Sequence, residues 1–276
     1  MTLLLSMETA TDVCAVAVSR DGVLLVEVTL DEPRRHAERL VPMVDEALTS
    51  AGVSPADLTA VAVSAGPGSY TGLRIGASTA KGVAFALSIP LVPVPSLQAL
   101  AASVEVPAGT LVVAAFGARR GEVYAQSFRA CPDTPPAPLA GPLAGSPGEV
   151  LPILLPAAAP RSAILIPSAP AEPGRLYATP APGNEDRSSV GAPDGPPPRI
   201  VFVGDGADLL ARIADEMGLA YEARTHVRPT AAAVARLAEA LLAAGASVDA
   251  DAFEPYYLRE FTAKLASGSM YDRLPT

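Results

Sequence analysis

The chain has 276 residues, which is long enough for one large domain or two moderate ones with buried cores. Half of its residues are hydrophobic, and this composition is typical of a globular rather than a disordered protein. The formal net charge of −9 argues against direct binding of nucleic acid, because neutralising phosphates requires clustered Lys and Arg.

The first hundred residues predict alternating strands and helices. An Asp21-Gly22 pair is a hairpin signal between two apolar runs, and Gly52 ends a segment whose apolar residues recur at helical spacing. The segment IPLVPVPS is predicted as a short extended link. The predicted strands are 3–6, 14–19, 23–30 and the run LTAVAVSAG, and the predicted helices are 35–51, about 71–87 and 97–103.

A second unit begins at TLVVAAFGARRGEVYAQSF, where a buried strand, a turn and an alternating strand repeat the N-terminal pattern. This is a weak internal duplication of pattern rather than of residue identity. Of the 29 prolines, 18 lie in residues 131–198, so this region is predicted to be a largely extended or mobile insert. Order resumes with a strand, glycine turn and helix in RIVFVGDGADLL, a helix at about 230–244 and the tail DAFEPYYLRE.

Two cysteines, Cys14 and Cys131, provide neither a disulfide framework nor a metal-ligand cluster. The two histidines, His36 and His226, lack the spacing of a metal site. The N-terminus has no basic flank, its apolar run stops at Glu8, and no run of about 18 apolar residues follows. We therefore expect a cytoplasmic protein without a membrane segment.

The segment SAGPGSYTGLRIG, residues 64–76, is a glycine-rich turn between a predicted strand and a predicted helix. Its glycines can adopt positive φ, and Ser69 or Thr71 can cap the helix. Such a turn can receive a phosphate on backbone N–H groups, or it can be a tight connection without a ligand. The candidate nucleotide-loop residues are Gly66, Gly68, Ser69, Thr71 and Gly72.

Small residues recur every four positions along the helix that follows, at Gly72, Gly76, Ala80 and Ala84. Glycine inside a helix costs about 1 kcal/mol per site relative to alanine, so the stripe requires a reason. Close packing against the protein's own sheet and a subunit interface are both consistent with this spacing.

Taken together, several segments resemble the bacterial TsaB (YeaZ) family, the dimerisation subunit of the tRNA threonylcarbamoyladenosine machinery. The similarity covers residues 1 to about 128 and resumes over about 200–262, and the Pro-rich middle is unmatched. The segments are METATDVCAVAV, RRHAERLVPMVDEAL, SAGPGSYTGLRIGASTAKGVAFALSIPLVPVPSLQALA, GARRGEVYAQ and EPYYLRE.

The resemblance implies an α/β fold of two ribonuclease-H-like halves, as in actin and sugar kinases. The N-terminal half would span residues 1–105, joined by the C-terminal helix and tail at about 229–276. The C-terminal half would span 106–228 and contain the insert at about 131–198.

The resemblance also implies a partner. The catalytic paralogue, TsaD, transfers a threonylcarbamoyl group from its adenylate to N6 of adenosine 37 in ANN-decoding tRNAs, and a small ATPase, TsaE, joins the pair. Where that paralogue has a His-x-x-x-His metal pair, this chain has Ser96 and Leu100. The resemblance therefore implies a non-catalytic subunit with no bound metal, which meets tRNA only through the complex.

Two positions depart from the family pattern. Glu8 stands where TsaB-type chains usually have Asp, and Gly117 replaces the acid of the usual DAR motif. The loss of the second carboxylate weakens a magnesium-nucleotide site within this subunit. We expect no tightly bound cofactor, and the subunit junction is the place where ATP or ADP could bind.

The family further implies that the two helices of the N-terminal half contact the partner. We expect a four-helix junction, and a homodimer through the same surface when the partner is missing. The candidate interface residues are Leu40, Met43, Val44 and Ala47 as an apolar ridge, and Gly72, Gly76 and Ala80 as a shallow groove.

Three other functions compete with this interpretation. An independent ATP-dependent enzyme of the same superfamily would need a catalytic Asp and two intact phosphate loops. A metallopeptidase would need a metal triad, and a scaffold for unrelated proteins would be recognised by its partners.

Overall fold

The structure is a computed structural model, and it describes residues 1–32, 34–155 and 199–258. These residues form two five-stranded sheets with helices on their faces. The strands are β1 Leu3–Glu8, β2 Cys14–Arg20, β3 Val23–Leu30, β4 Ala60–Ser64, β5 Leu91–Val94, β6 Leu111–Gly117, β7 Val123–Arg129, β8 Ala137–Gly145, β9 Ile200–Val203 and β10 Glu222–Arg224. The α-helices are α1 His36–Ala51, α2 Tyr70–Leu87, α3 Ser96–Ala102, α4 Pro147–Leu154, α5 Ala207–Glu216 and α6 Ala231–Ala243.

The first sheet has the strand order β3-β2-β1-β4-β5. The β1–β2 and β2–β3 pairs are antiparallel, whereas β1–β4 and β4–β5 are parallel. Leu5 lies between Val18 of β2 and Val61 of β4, so β1 is the central strand. Its residues are buried throughout, which is typical of a sheet covered on both faces.

The second sheet repeats this arrangement with the order β10-β9-β6-β7-β8. Strand β6 pairs antiparallel with β7 and parallel with β9, as β1 does with β2 and β4. The internal duplication predicted from pattern is therefore present in the topology. The predicted fold class, two α/β halves of the ribonuclease-H type, is confirmed.

Helices α1 and α2 cover one face of the first sheet, where they bury Leu3, Leu5 and Met7 of β1. Helix α6 covers the opposite face and packs on Leu4. Helix α3 contributes buried residues to the apolar cluster of the second sheet as well, so it lies between the two halves. None of the helices formed by the described residues has the length and apolar character that a bilayer-spanning segment needs.

The structure corrects the predicted insert, which begins later than residue 131. Strand β8 and helix α4 both lie inside the Pro-rich region and belong to the second sheet and its packing. Strand β8 is an edge strand, where prolines such as Pro138 are tolerated because one side of the strand needs no partner. Residues 156–198 of the predicted insert lie outside the described residues.

Two other elements differ from the sequence prediction. The predicted link IPLVPVPS contains β5, a true strand that pairs with β4 and is bridged on its other side by Val248. Strand β10 was not predicted, because a strand of three residues shows no periodicity. The predicted helices are confirmed to within one residue at their ends.

Candidate functional site

The glycine loop joins the carboxyl end of β4 to the start of α2, where the sequence predicts it. Three of its backbone N–H groups have acceptors within the chain, and for the first two Gly66 N donates to Ser96 Oγ at 2.9 Å and Ser69 N donates to the carbonyl of Ala10 at 2.7 Å. Ser69 is the N-cap of α2, and its Oγ accepts from Gly72 N at 3.3 Å. These three donors therefore bind the loop to its own neighbours.

The glycines of the loop are required by the close approach of two other chain segments. A Cβ on Gly66 would lie 2.3 Å from the carbonyl oxygen of Tyr256, and one on Gly68 would lie 2.4 Å from the carbonyl oxygen of Ala10. Of the three loop glycines, only Gly66 has positive φ, at 105°. The expectation of positive φ at Gly68 and Gly72 is wrong, because there the missing side chain rather than the backbone angle matters.

Glu8, at the end of β1, is a fully buried carboxyl beneath the turn that leads to β2. Its Oε1 accepts a hydrogen bond of 2.6 Å from Ala10 N, and its Oε2 has no hydrogen-bond partner among the described residues. Burial raises the pKa of this carboxyl to about 8, although hydrogen bonds from Ala10, Ser64 and Thr9 oppose the shift. At neutral pH the group is therefore a neutral acid.

The predicted ridge and groove do not face a partner. All seven candidate interface residues are buried inside the first half of the molecule: Leu40, Met43, Val44, Ala47, Gly72, Gly76 and Ala80. A Cβ on Gly72 would lie 2.1 Å from the Thr9 carbonyl oxygen, and one on Gly76 would lie 2.2 Å from Thr9 Oγ1. The prediction that these residues form an exposed surface is wrong, because an amphipathic helix turns such a stripe toward its own core.

The outward faces of α1 and α2 carry other residues. A groove of about 500 Å³ lies between the two helices and is lined by Ala37, Tyr70, Thr71, Arg74, Ile75, Ser78 and Thr79. Two large apolar side chains on these helices are mostly in solvent, Val41 at 62% and Phe85 at 72% exposed. The sequence analysis missed these residues, although Val41 lies outside the buried stripe of α1 and could have been recognised by that position.

An aromatic and cationic cluster stands at one end of this groove. Arg74 lies over the Tyr70 ring at 5.4 Å and donates to the Tyr70 hydroxyl at 2.8 Å. The Tyr257 ring packs against Tyr70 with a centroid distance of 5.0 Å. Among the described residues no carboxylate forms an ion pair with Arg74.

The C-terminal segment that carries Tyr257 is held against α2 and the glycine loop by hydrogen bonds. Lys81 Nζ donates to the carbonyl oxygens of Asp251 and Phe253, at 3.3 and 3.0 Å. Tyr256 N donates to the Ala65 carbonyl at 2.7 Å. These contacts pack the tail onto the first half of the molecule.

Ser96 and Leu100, the two positions at which the resemblance places the paralogue's histidines, serve the packing of α3. Ser96 Oγ accepts the Gly66 hydrogen bond, and Leu100 is fully buried between the halves. His36 is buried with Nε2 3.3 Å from the carbonyl oxygen of Val13, and His226 is exposed. No group of three or more metal-ligating side chains occurs within the part of the chain that the structure describes.

Gly117 has an acid beside it from another element. At the end of β6, Gly117 N donates to Asp205 Oδ1 at 3.0 Å, and Asp205 lies in the exposed turn between β9 and α5. Thus the turn that lacks the family's usual carboxylate in its own sequence meets the carboxylate of Asp205. The Arg119–Gly121 turn continues to β7, with Arg120 at φ 65°.

Comparison with known proteins identifies the family. A family model described as TsaD, tRNA N6-adenosine threonylcarbamoyltransferase, matches residues 27–267. The chain belongs to this family. Within it, the resemblance to TsaB (YeaZ) proteins is confirmed. The chain is 42% identical over 122 residues to the tRNA threonylcarbamoyladenosine biosynthesis protein TsaB of Escherichia coli, which is 44% of this chain and 52% of that protein.

A second relative and a solved structure are also similar to this chain. The TsaB protein of Haemophilus influenzae is 39% identical over 122 residues, which is 44% of this chain and 51% of that protein. The chain therefore spans about half the length of the curated TsaB relatives it matches. YeaZ from Pseudomonas aeruginosa has the same fold, with a TM-score of 0.67 and 24% identity over 94% of this chain and 100% of that one.

Proposed function

We propose that this TsaB-type chain is a non-catalytic subunit for N6-threonylcarbamoylation of adenosine 37 in ANN-decoding tRNAs. In this proposal it acts in the cytoplasm, pairs with a TsaD-type catalytic subunit and a TsaE-type ATPase, and meets tRNA only within that complex. The observation that carries the proposal is the use of Ser96 and Leu100 for packing, where the catalytic paralogue has its histidines. Neither side chain can supply the imidazole ligands of that site.

The partner surface in this proposal is the outward face of α1 and α2, not the buried stripe. Two features support it. Val41 and Phe85 expose large apolar side chains, and exposed apolar patches mark sites of protein interaction. The groove between the helices ends at Tyr70 and Arg74, residue types that are enriched at such sites.

A homodimer through the same face when the partner is missing remains part of the proposal. The partner is a homologous chain, so a surface that fits it has the geometry to pair with itself. Both arrangements would cover Val41 and Phe85. A nucleotide, ATP or ADP, would bind at the junction rather than on the glycine loop, whose Gly66, Ser69 and Gly72 N–H groups already have acceptors.

The experiment is reconstitution of tRNA modification from purified components. The TsaD-type subunit, the TsaE-type ATPase, threonylcarbamoyl-adenylate and an ANN-decoding tRNA are combined with and without this chain, and modified adenosine is measured by mass spectrometry. We expect modification only when both the TsaD-type subunit and this chain are present. Modification by this chain without the TsaD-type subunit would contradict its non-catalytic role, and full modification without this chain would contradict its requirement.

A further inference from the structure

Glu8 is a buried acid with no basic partner. Its surroundings come from three elements: the Cys14 thiol on β2, the Ser64 hydroxyl on β4, and the backbone N–H groups of Thr9 and Ala10 in the β1–β2 turn. Glu8 in turn contributes to the raised pKa of Cys14, about 11, after burial itself. No Lys, Arg or His among the described residues forms an ion pair with the Glu8 carboxyl.

An ionised carboxylate in this position would be unfavourable. Oε2 is shielded from water and has no donor among the described residues, and the hydrogen bonds from Ala10, Ser64 and Thr9 offset only part of the hydration that the anion would lose. A glutamine in the same place would fill nearly the same volume and would carry no such cost. With the acid in this position, the stability of the surrounding structure depends on pH. With an amide it would not.

The turn above Glu8 is also the support of the glycine loop. Ala10 N donates to Glu8 Oε1, and the carbonyl of the same residue accepts from Ser69 N, the N-cap of α2. Thr9 N donates to Ser64 Oγ at 3.0 Å, and the Thr9 carbonyl occupies the space left by Gly72. Oε2 is shielded from water in this arrangement, and a movement of the turn that exposed it would break the bonds that hold the first turn of α2.

We propose that Glu8 is a protonation-dependent latch between the β1–β2 turn and α2. As the neutral acid, it holds the turn closed on the glycine loop. Loss of its proton accompanies opening of the turn, because the anion is stable only when water reaches Oε2. The open state releases Ala10 from Ser69 and frays the start of α2.

The latch has a consequence for docking that rests on the proposed function. Tyr70 and Arg74 stand on the first two turns of α2 and line the groove. Opening of the latch disorders them, so the TsaD-type partner should bind more weakly at alkaline pH. Replacing Glu8 with glutamine should remove this pH dependence.

The test is amide hydrogen exchange of the full chain without partner, at pH 5.5, 6.5, 7.5 and 9, corrected for the intrinsic pH dependence of exchange. The reporting amides are Ala10 and Ser69, and Val113 in the second sheet is the reference. In the closed state Glu8 keeps its proton up to a pKa of about 8, and in the open state it has its ordinary pKa of 4.5. Linkage then predicts that protection falls about tenfold per pH unit up to about pH 8 and levels off beyond it.

Two variants complete the test. Glu8→Gln should show protection at Ala10 and Ser69 that does not change with pH, whereas Glu216→Gln, an exposed acid on α5, should behave like the wild type. Equal pH dependence in the wild type and in Glu8→Gln would overturn the proposal. If Glu8→Gln does not fold, the wild-type series decides: flat protection at Ala10 and Ser69 contradicts the latch. Failure of the wild type to bind the partner at pH 7 would contradict the proposed function. The latch would then be tested by the hydrogen-exchange result alone.

Discussion

The two halves of the molecule have the same strand order, but the acid near the end of the central strand is buried in one half and exposed in the other. In the first half Glu8 ends β1, is fully buried and has a pKa of about 8. In the second half Gly117 ends β6, and the acid is Asp205, which reaches it from an exposed turn. The same arrangement of strands thus buries one carboxyl and leaves the other exposed to water.

The glycine loops of the two halves resemble each other more closely. In each, a glycine after the fourth strand leaves room for a backbone carbonyl of the first strand or its turn. A Cβ on Gly68 would meet the carbonyl of Ala10 at 2.4 Å, and one on Gly204 would meet that of Ala115 at 2.2 Å. A glycine-rich turn in this fold is therefore explained by packing before any ligand is considered.

A large effect, present at every pH, is expected where Thr9 packs beneath α2 in the first half. Gly72→Ala places a Cβ 2.1 Å from the Thr9 carbonyl oxygen, and backbone cannot move away cheaply. Unfolding in denaturant should show a loss of about 3 kcal/mol in the free energy of unfolding. Gly82→Ala is the control on the same helix, because no atom lies within 4 Å of its Cβ position, and it should stabilise by up to about 1 kcal/mol. Equal effects of the two variants would mean that α2 does not pack on Thr9.

The next effect separates the two acids by pH. The raised pKa of Glu8 means that its contribution to stability is fully present below the unfolded value of 4.5 and declines as the pH rises toward about 8. The free energy of unfolding of the wild type should therefore fall relative to Glu8→Gln by about 1.4 kcal/mol per pH unit across this window. Denaturant titrations at pH 5, 6, 7 and 8 measure the gap, and a constant gap would contradict the burial of an ionisable group.

The corresponding change in the second half should be small. Asp205→Asn keeps an oxygen acceptor for Gly117 N at an exposed site, so the free energy of unfolding should change by less than about 1 kcal/mol. Denaturant titrations of the two proteins at a single pH measure this change. A change in the free energy of unfolding as large as that of Glu8→Gln would contradict the difference between the two halves.

The sequence predicted most of the fold because its strands and helices are strongly periodic. Strand β8 was missed because prolines normally exclude a strand. Helix α4 was missed as well, although the capping box of Ser146, Pro147 and Glu149 marks its start. In the candidate site, the four-residue spacing correctly identified the stripe of small residues on α2. It did not show whether that stripe faces a partner or the protein's own core. Only the position of Thr9, which belongs to a turn more than sixty residues away, shows that the stripe faces inward.

The burial of Glu8 was equally hidden from the sequence. The segment SMETA reads as the end of a strand followed by a polar turn, and an acid at such a position normally reaches water. The turn folds back under the glycine loop, and that contact depends on residues 64–72 rather than on the neighbours of Glu8. Local pattern could therefore flag Glu8 as unusual but could not predict its environment.

The most direct test of the account is the affinity of the TsaD-type partner for variants of the two outward helix faces. The double variant Val41→Asp and Phe85→Asp changes exposed side chains of α1 and α2, and Ile153→Asp makes the same kind of change on α4 of the second half, where Ile153 is 57% exposed. Calorimetric titration should show binding by the wild type and by Ile153→Asp, and at least a tenfold loss for the double variant with unchanged thermal stability. Native affinity of the folded double variant would show that the partner does not dock on α1 and α2.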